Sequence, residues 1–88
     1  MGDGMVRVDE ELEVVVYATT SWGVKVATRD GVEGFIDNLK IPSWLARGEV
    51  PGSGTSLLVV VLDDARKPFR GSLLDEDIEL ARNARRQT

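Results

Sequence analysis

The chain has 88 residues, 42% of them apolar and 30% charged, which suits one small hydrophobic core and excludes a two-domain enzyme, wholesale disorder and collagen-like repeats. Its net charge of -4 is uneven: residues 1–37 carry eight acids against three bases and the remainder seven against eight, so a local cationic patch is compatible with an acidic whole. Neither Cys nor His occurs, which removes disulfides, thiolate chemistry, the commonest general base and the commonest metal ligands, and counts against a hydrolase or a metalloenzyme.

Residues 1–10 read as a flexible polar lead-in to a single domain over 11–88. They hold no apolar run of signal-peptide length, and no 18-residue apolar stretch occurs anywhere, so no membrane association is expected and the expected location is the cytoplasm. Leu12 to Thr20 is rich in β-branched and aromatic residues and alternates as a strand, with Leu12, Val14, Val16 and Ala18 on one face and Glu13, Val15, Tyr17 and Thr19 on the other. Ser21-Trp22-Gly23 interrupts it. A second strand, Val24 to Thr28, resumes with Val24 and Val26 inward and Lys25 outward. Asp30-Gly31 supplies a tight turn into a third strand, Val32 to Asp37, so the three strands form an antiparallel meander.

Residues 38–56 contain Pro42, Pro51 and three Gly, a composition for a long irregular connection with one helical turn around Ser43 to Ala46, pinned to the core by Ile41, Trp44 and Leu45. Trp44 reads as a plug for the barrel bottom. Leu57 to Leu62 is wholly apolar, the pattern of a strand covered on both faces. Phe69 to Leu74 makes a less regular fifth strand. From Asp75 the chain reads as a helix capped by Asp75, with Asp77 and Glu79 near its start and Arg82, Arg85 and Arg86 near its end, each sign opposing the helix dipole. Its apolar face is narrow: Ile78 and Ala81, helped by Leu74.

Five strands, a long connection after the third and a terminal helix describe an all-β, five-stranded Greek-key barrel of the OB-fold class with a short C-terminal helix, since closure removes the sheet edges. An SH3-like barrel is the alternative. The paired acids Asp63-Asp64 and the run Asp75-Glu76-Asp77 point apart on a strand or spread around a helix, so they read as solvated faces and not as metal or acid–base sites. Gly52-Ser53-Gly54 lacks the Lys-Ser/Thr that completes a phosphate loop. No cofactor is implied.

The stretch SWGVKVATRDGVEGFIDNL resembles the central signature of the RNA-binding repeat named after protein S-one of the bacterial small ribosomal subunit, through Trp22-Gly23 and Gly31-Val32-Glu33-Gly34-Phe35-Ile36. GTSLLVVVLDDARKPFRGSL is similar to that family's later strand, acidic-basic turn and closing Ser-Leu strand. The resemblance spans roughly residues 12 to 74. It implies a non-catalytic OB-fold domain that lays bases of single-stranded RNA on exposed aromatics while cations track the phosphates.

Residue by residue, the resemblance makes Trp22 the first stacking aromatic. Lys25 stands where the family has a second aromatic, Asp37 where it has a His or similar residue, and Val14 where it has a Gly. Asp64, Arg66, Lys67 and Arg70 match the acidic and basic residues of the last turn, with Asp63 an alternative match for the acid. Tyr17, on the outer face of the first strand, extends the platform or sits on its rim. Phe35 shares parity with Glu33 and Asp37, which points outward, but Gly34 permits a bulge that would turn it into the core, the reading preferred on residue type. Asp37 opposes a phosphate: two like charges about 4 Å apart in water repel by about 1 kcal/mol. The second reading is therefore a protein-interaction domain, its partner a protein, that keeps the barrel and has lost RNA binding.

Overall fold

The alternation of β-branched residues sets which side of the first hairpin turns inward, and in the computed structural model, which describes residues 6–87, Val14, Val16, Val24 and Val26 are each at most 1% exposed. They lie on β1 (Glu11–Thr19) and β2 (Gly23–Thr28), which pair antiparallel, and β2 pairs in turn with β3 (Glu33–Asp37). The meander is as expected. Gly31 takes a positive φ of 87° in the turn between β2 and β3. A register shift between Val16 and Ala18 leaves Tyr17 on a bulge of β1, the device that bends a strand around a closing wall.

After β3 come a 3-10 turn (Asn38–Lys40), α1 (Pro42–Arg47), β4 (Ser56–Asp63), β5 (Phe69–Ser72) and α2 (Asp75–Arg86). Around the wall the order is β1-β2-β3-β5-β4, with β4 returning to β1. Every pair is antiparallel except β3 with β5, where Gly34, Phe35 and Ile36 face Phe69, Arg70 and Gly71. This is the closed five-stranded OB-fold barrel with a short C-terminal helix, and the SH3-like alternative is set aside. Phe69, 2% exposed, fills the interior with Ile36, Ile41, Val59 and Val61. A Cβ at Gly34 would stand 2.4 Å from the Phe69 ring, so glycine there is what lets the ring occupy the core.

The structure corrects several expectations about the fold. Ile41 pins the long connection at 1% exposure, but Trp44 and Leu45 are 37% and 57% exposed and plug nothing. α1 buries no residue, because the chain enters it directly from Ile41 through Pro42 and turns out again at Gly48. β4 is covered on both faces only in its middle: Val59, Val60 and Val61 are buried while Leu58 and Leu62 are 53% and 36% exposed. Val59 and Val61 belong to the barrel core and Val60 does not, and α2 packs on β4.

The last correction concerns the helix cap. Leu74 occupies the N-cap position of α2 without a side-chain bond, and Asp75 is the first helical residue. The Ser72 hydroxyl instead accepts the Leu74 N–H at 3.0 Å. Ahead of β1, residues 1–5 of the expected lead-in lie outside the described residues, whereas Val6 packs on the core and Asp9 and Glu10 extend the pairing to Val61 through bonds of 2.8 and 2.9 Å.

Candidate functional site

The register of three strands builds the site's central row: Lys25 lies opposite Phe35, and Phe35 opposite Arg70. Lys25 and Phe35 sit on the outer face because their neighbours Val24, Val26, Gly34 and Ile36 are buried. No bulge interrupts β3 against β2, so the preferred core reading of Phe35 is wrong, and Ile36, not Phe35, points inward. The Phe35 ring leans over Gly23, where a Cβ would lie 2.8 Å from its Cζ and 2.1 Å from the Ile36 carbonyl oxygen. From above, the Arg70 guanidinium stands 5.1 Å from the ring centroid, a cation–π contact worth about 0.5–1 kcal/mol at an exposed site.

Trp22 is displayed by a fixed backbone. The Thr20 hydroxyl accepts the N–H groups of Trp22 and Gly23, each at 3.1 Å, and donates to the Gly23 carbonyl at 3.0 Å. From the other side Asn38 donates its backbone N–H to the Trp22 carbonyl and its Nδ2 to the Ser21 carbonyl, both at 2.9 Å. The side chain takes no part in this and is 77% exposed, a large apolar surface left in water.

Trp22 and Phe35 open onto a groove of about 570 Å³. Leu62 completes its apolar wall, Lys40, Arg66 and Arg70 supply three cations, and Asp37 is its one carboxylate among the described residues. That carboxylate is engaged as the cap of the 3-10 turn, accepting the Leu39 N–H at 2.9 Å. Arg66 is paired to Asp63 at 3.3 Å and Lys40 to Asp77 at 3.1 Å. Burial pushes the Asp77 carboxyl up, but hydrogen bonds from Ser72 and Lys40 together hold it below the usual range. Among the described residues, no carboxylate is ion-paired to Arg70.

Of the nine residues singled out from sequence, the groove gathers Trp22, Phe35, Asp37, Arg66 and Arg70. Lys25 is exposed at the end of the row and does not line it. Tyr17, 46% exposed, donates its hydroxyl to Glu33 at 2.9 Å, and this acceptor, followed by burial, raises its pKa. Asp64 accepts the Val8 N–H at 3.2 Å, turned toward the first described segment, while Asp63 lies opposite Arg70. Lys67 is exposed beside the cis peptide bond to Pro68 and does not line the groove either. Sequence reasoning missed Lys40 and Leu62. Leu62 was hidden in a run read as doubly covered, and nothing local marks Lys40.

No protein-family model and no curated protein matches the chain. Similar solved structures include an uncharacterized protein from Methanocaldococcus jannaschii, 17% identical with a TM-score of 0.67 over 80% of this chain and 95% of that one. GSP13 from Bacillus subtilis is 18% identical with a TM-score of 0.64 over 77% of this chain, which spans 55% of GSP13. A multidomain protein with nucleic acid binding domains from Streptococcus pneumoniae is 20% identical with a TM-score of 0.61 over 76% of this chain, which spans only 22% of that protein. At these identities the likeness shows that the chain shares their fold.

Proposed function

We propose that this domain is a non-catalytic, cytosolic module that binds single-stranded RNA in the groove beside Trp22. The observation that carries the reading is an indole 77% exposed in the same groove as Lys40, Arg66 and Arg70. Single strands are held by this combination of an open aromatic face and flanking cations. The resemblance to the S-one repeat and the likeness to a protein described as having nucleic acid binding domains point the same way.

The geometry divides the labour. A base stacks on Trp22. Phe35 is covered by Arg70 above and rests on Gly23 below, so it acts through Arg70, whose guanidinium offers the second flat surface and a charge for phosphate. Tyr17, Lys25 and Lys67 lie outside the groove and contribute less than the residues lining it.

The test is a low-salt titration with a short dye-labelled oligouridylate, with affinity read from the anisotropy of the label and stacking read from tryptophan quenching in a Trp44→Phe background, where only Trp22 reports. Quenching is expected, and Trp22→Ala should lose about 1–3 kcal/mol of binding. No quenching, or unchanged affinity in Trp22→Ala, removes the RNA reading. A protein partner captured on the same face after nuclease treatment would install the protein-interaction reading in its place.

A further inference from the structure

Lys40 is tied at both ends to the entrance of α2. Its carbonyl accepts the Leu73 N–H at 2.9 Å, and its Nζ donates to Asp77 Oδ2 at 3.1 Å. The same Asp77 oxygen accepts the Ser72 hydroxyl at 2.6 Å, and that hydroxyl accepts the Leu74 N–H at 3.0 Å. The chain of bonds runs from the wholly buried Ser72 out to a lysine that lines the groove. Asp77 is nearly buried, its side chain 12% exposed, while that of Lys40 is 37% exposed.

An ammonium has three donors, and Asp77 takes one. An exposed lysine ordinarily samples many rotamers, and ordering it on a ligand costs side-chain entropy. Here Asp77 has already ordered it, with its remaining donors free to meet an anion at the groove. A carboxylate held by a serine and spent on one lysine has the arrangement of a support that aims a cation. We propose that Lys40, positioned by Asp77 and Ser72, is a phosphate contact of the groove, taking a backbone phosphate of the strand whose base stacks on Trp22.

This rests on the RNA-binding reading and adds to it a residue outside the stretch of the last turn. The alternative role for Lys40 is a strut that ties the 3-10 turn to α2. The two differ in salt dependence, because each phosphate–cation contact on a single strand adds about 0.7 to the steepness of log affinity against log salt.

Binding of the oligouridylate is measured across a salt series for the full chain, Lys40→Gln, Lys40→Arg and Asp77→Asn, with circular dichroism confirming that each is folded. Lys40→Gln is expected to bind roughly tenfold more weakly with a slope shallower by about 0.7. Lys40→Arg should keep the slope. Asp77→Asn cuts the same ion pair but leaves the ammonium in place, so it too should keep the slope. An unchanged slope in Lys40→Gln, or an Asp77→Asn slope as shallow as that of Lys40→Gln, reduces Lys40 to a strut and overturns the proposal. Binding that needs Trp22 but not Lys40 leaves the parent reading standing, whereas no binding by the full chain ends both.

Discussion

Trp22 and Phe35 share a groove, yet their surroundings predict different costs of removal. The Trp22 indole is 77% exposed and its backbone is held by Thr20 and Asn38, so Trp22→Ala should change stability by less than about 0.5 kcal/mol while weakening RNA binding. Urea unfolding beside the fluorescence titration separates the two; a large stability loss would mean the ring packs where the structure leaves it open. Gly34 is the reverse case. A Cβ there meets the ring of Phe69, which is 2% exposed and has nowhere to go, so Gly34→Ala should lower the unfolding free energy by roughly 1–3 kcal/mol through overpacking. A urea midpoint unchanged in that variant would show a looser core than described. Gly34 was legible in sequence as part of a family motif, but its reason, the approach of a ring from β5, was not, because Phe69 lies 35 positions away and meets it across a parallel pair.

At the scale of elements, α2 is held by charge as well as by packing. Arg82 reaches the Glu11 carboxylate through two bonds of 3.0 Å, and Arg85 adds a contact to the same group and another to the Asp9 carbonyl. Hydrogen bonds from Arg82, then from Arg85, hold the Glu11 pKa down to about 2 from an ordinary 4.5. A carboxyl depressed in the folded state stabilises it fully above its unfolded pKa and loses that contribution as pH falls toward the folded value. The clamp should therefore weaken from near pH 4.5 down through about 2. Thermal melting of the chain and of Glu11→Gln checks this: the variant should melt lower at about pH 6, with the gap closing toward about pH 2.5. A constant gap would show that the arginines do not act through the Glu11 charge. The periodicity of charge along 75–86 revealed the helix and its dipole but assigned Arg82 and Arg85 to its end alone. Their partner on β1 lies more than seventy positions back, beyond the reach of any local pattern.

At the scale of the whole molecule, a net charge of -4 coexists with a groove of three cations and one carboxylate. Like-signed charges beyond a Debye length, about 10 Å at 0.1 M salt, are screened, so the groove's own charges govern a bound strand. Three phosphate contacts imply a log–log salt slope near about -2, at about 0.7 each. A slope near zero in a salt series would show that the strand is held without the cations. What the amino-acid order determined unaided was local: β-branched residues alternating with a period of two set the inward faces of β1 and β2, Asp30-Gly31 turned the second hairpin, and the charge gradient after Asp75 marked the helix. Each of these is decided by neighbours within a few bonds, where sterics and dipoles act. Only the tertiary structure decided that Lys40, Arg66 and Arg70 meet around Trp22, that Arg70 lies over Phe35, and that Trp44 stays outside. Those outcomes follow from closing β4 on β1 and laying β5 parallel to β3, and closure is a property of distances between segments that no single segment encodes.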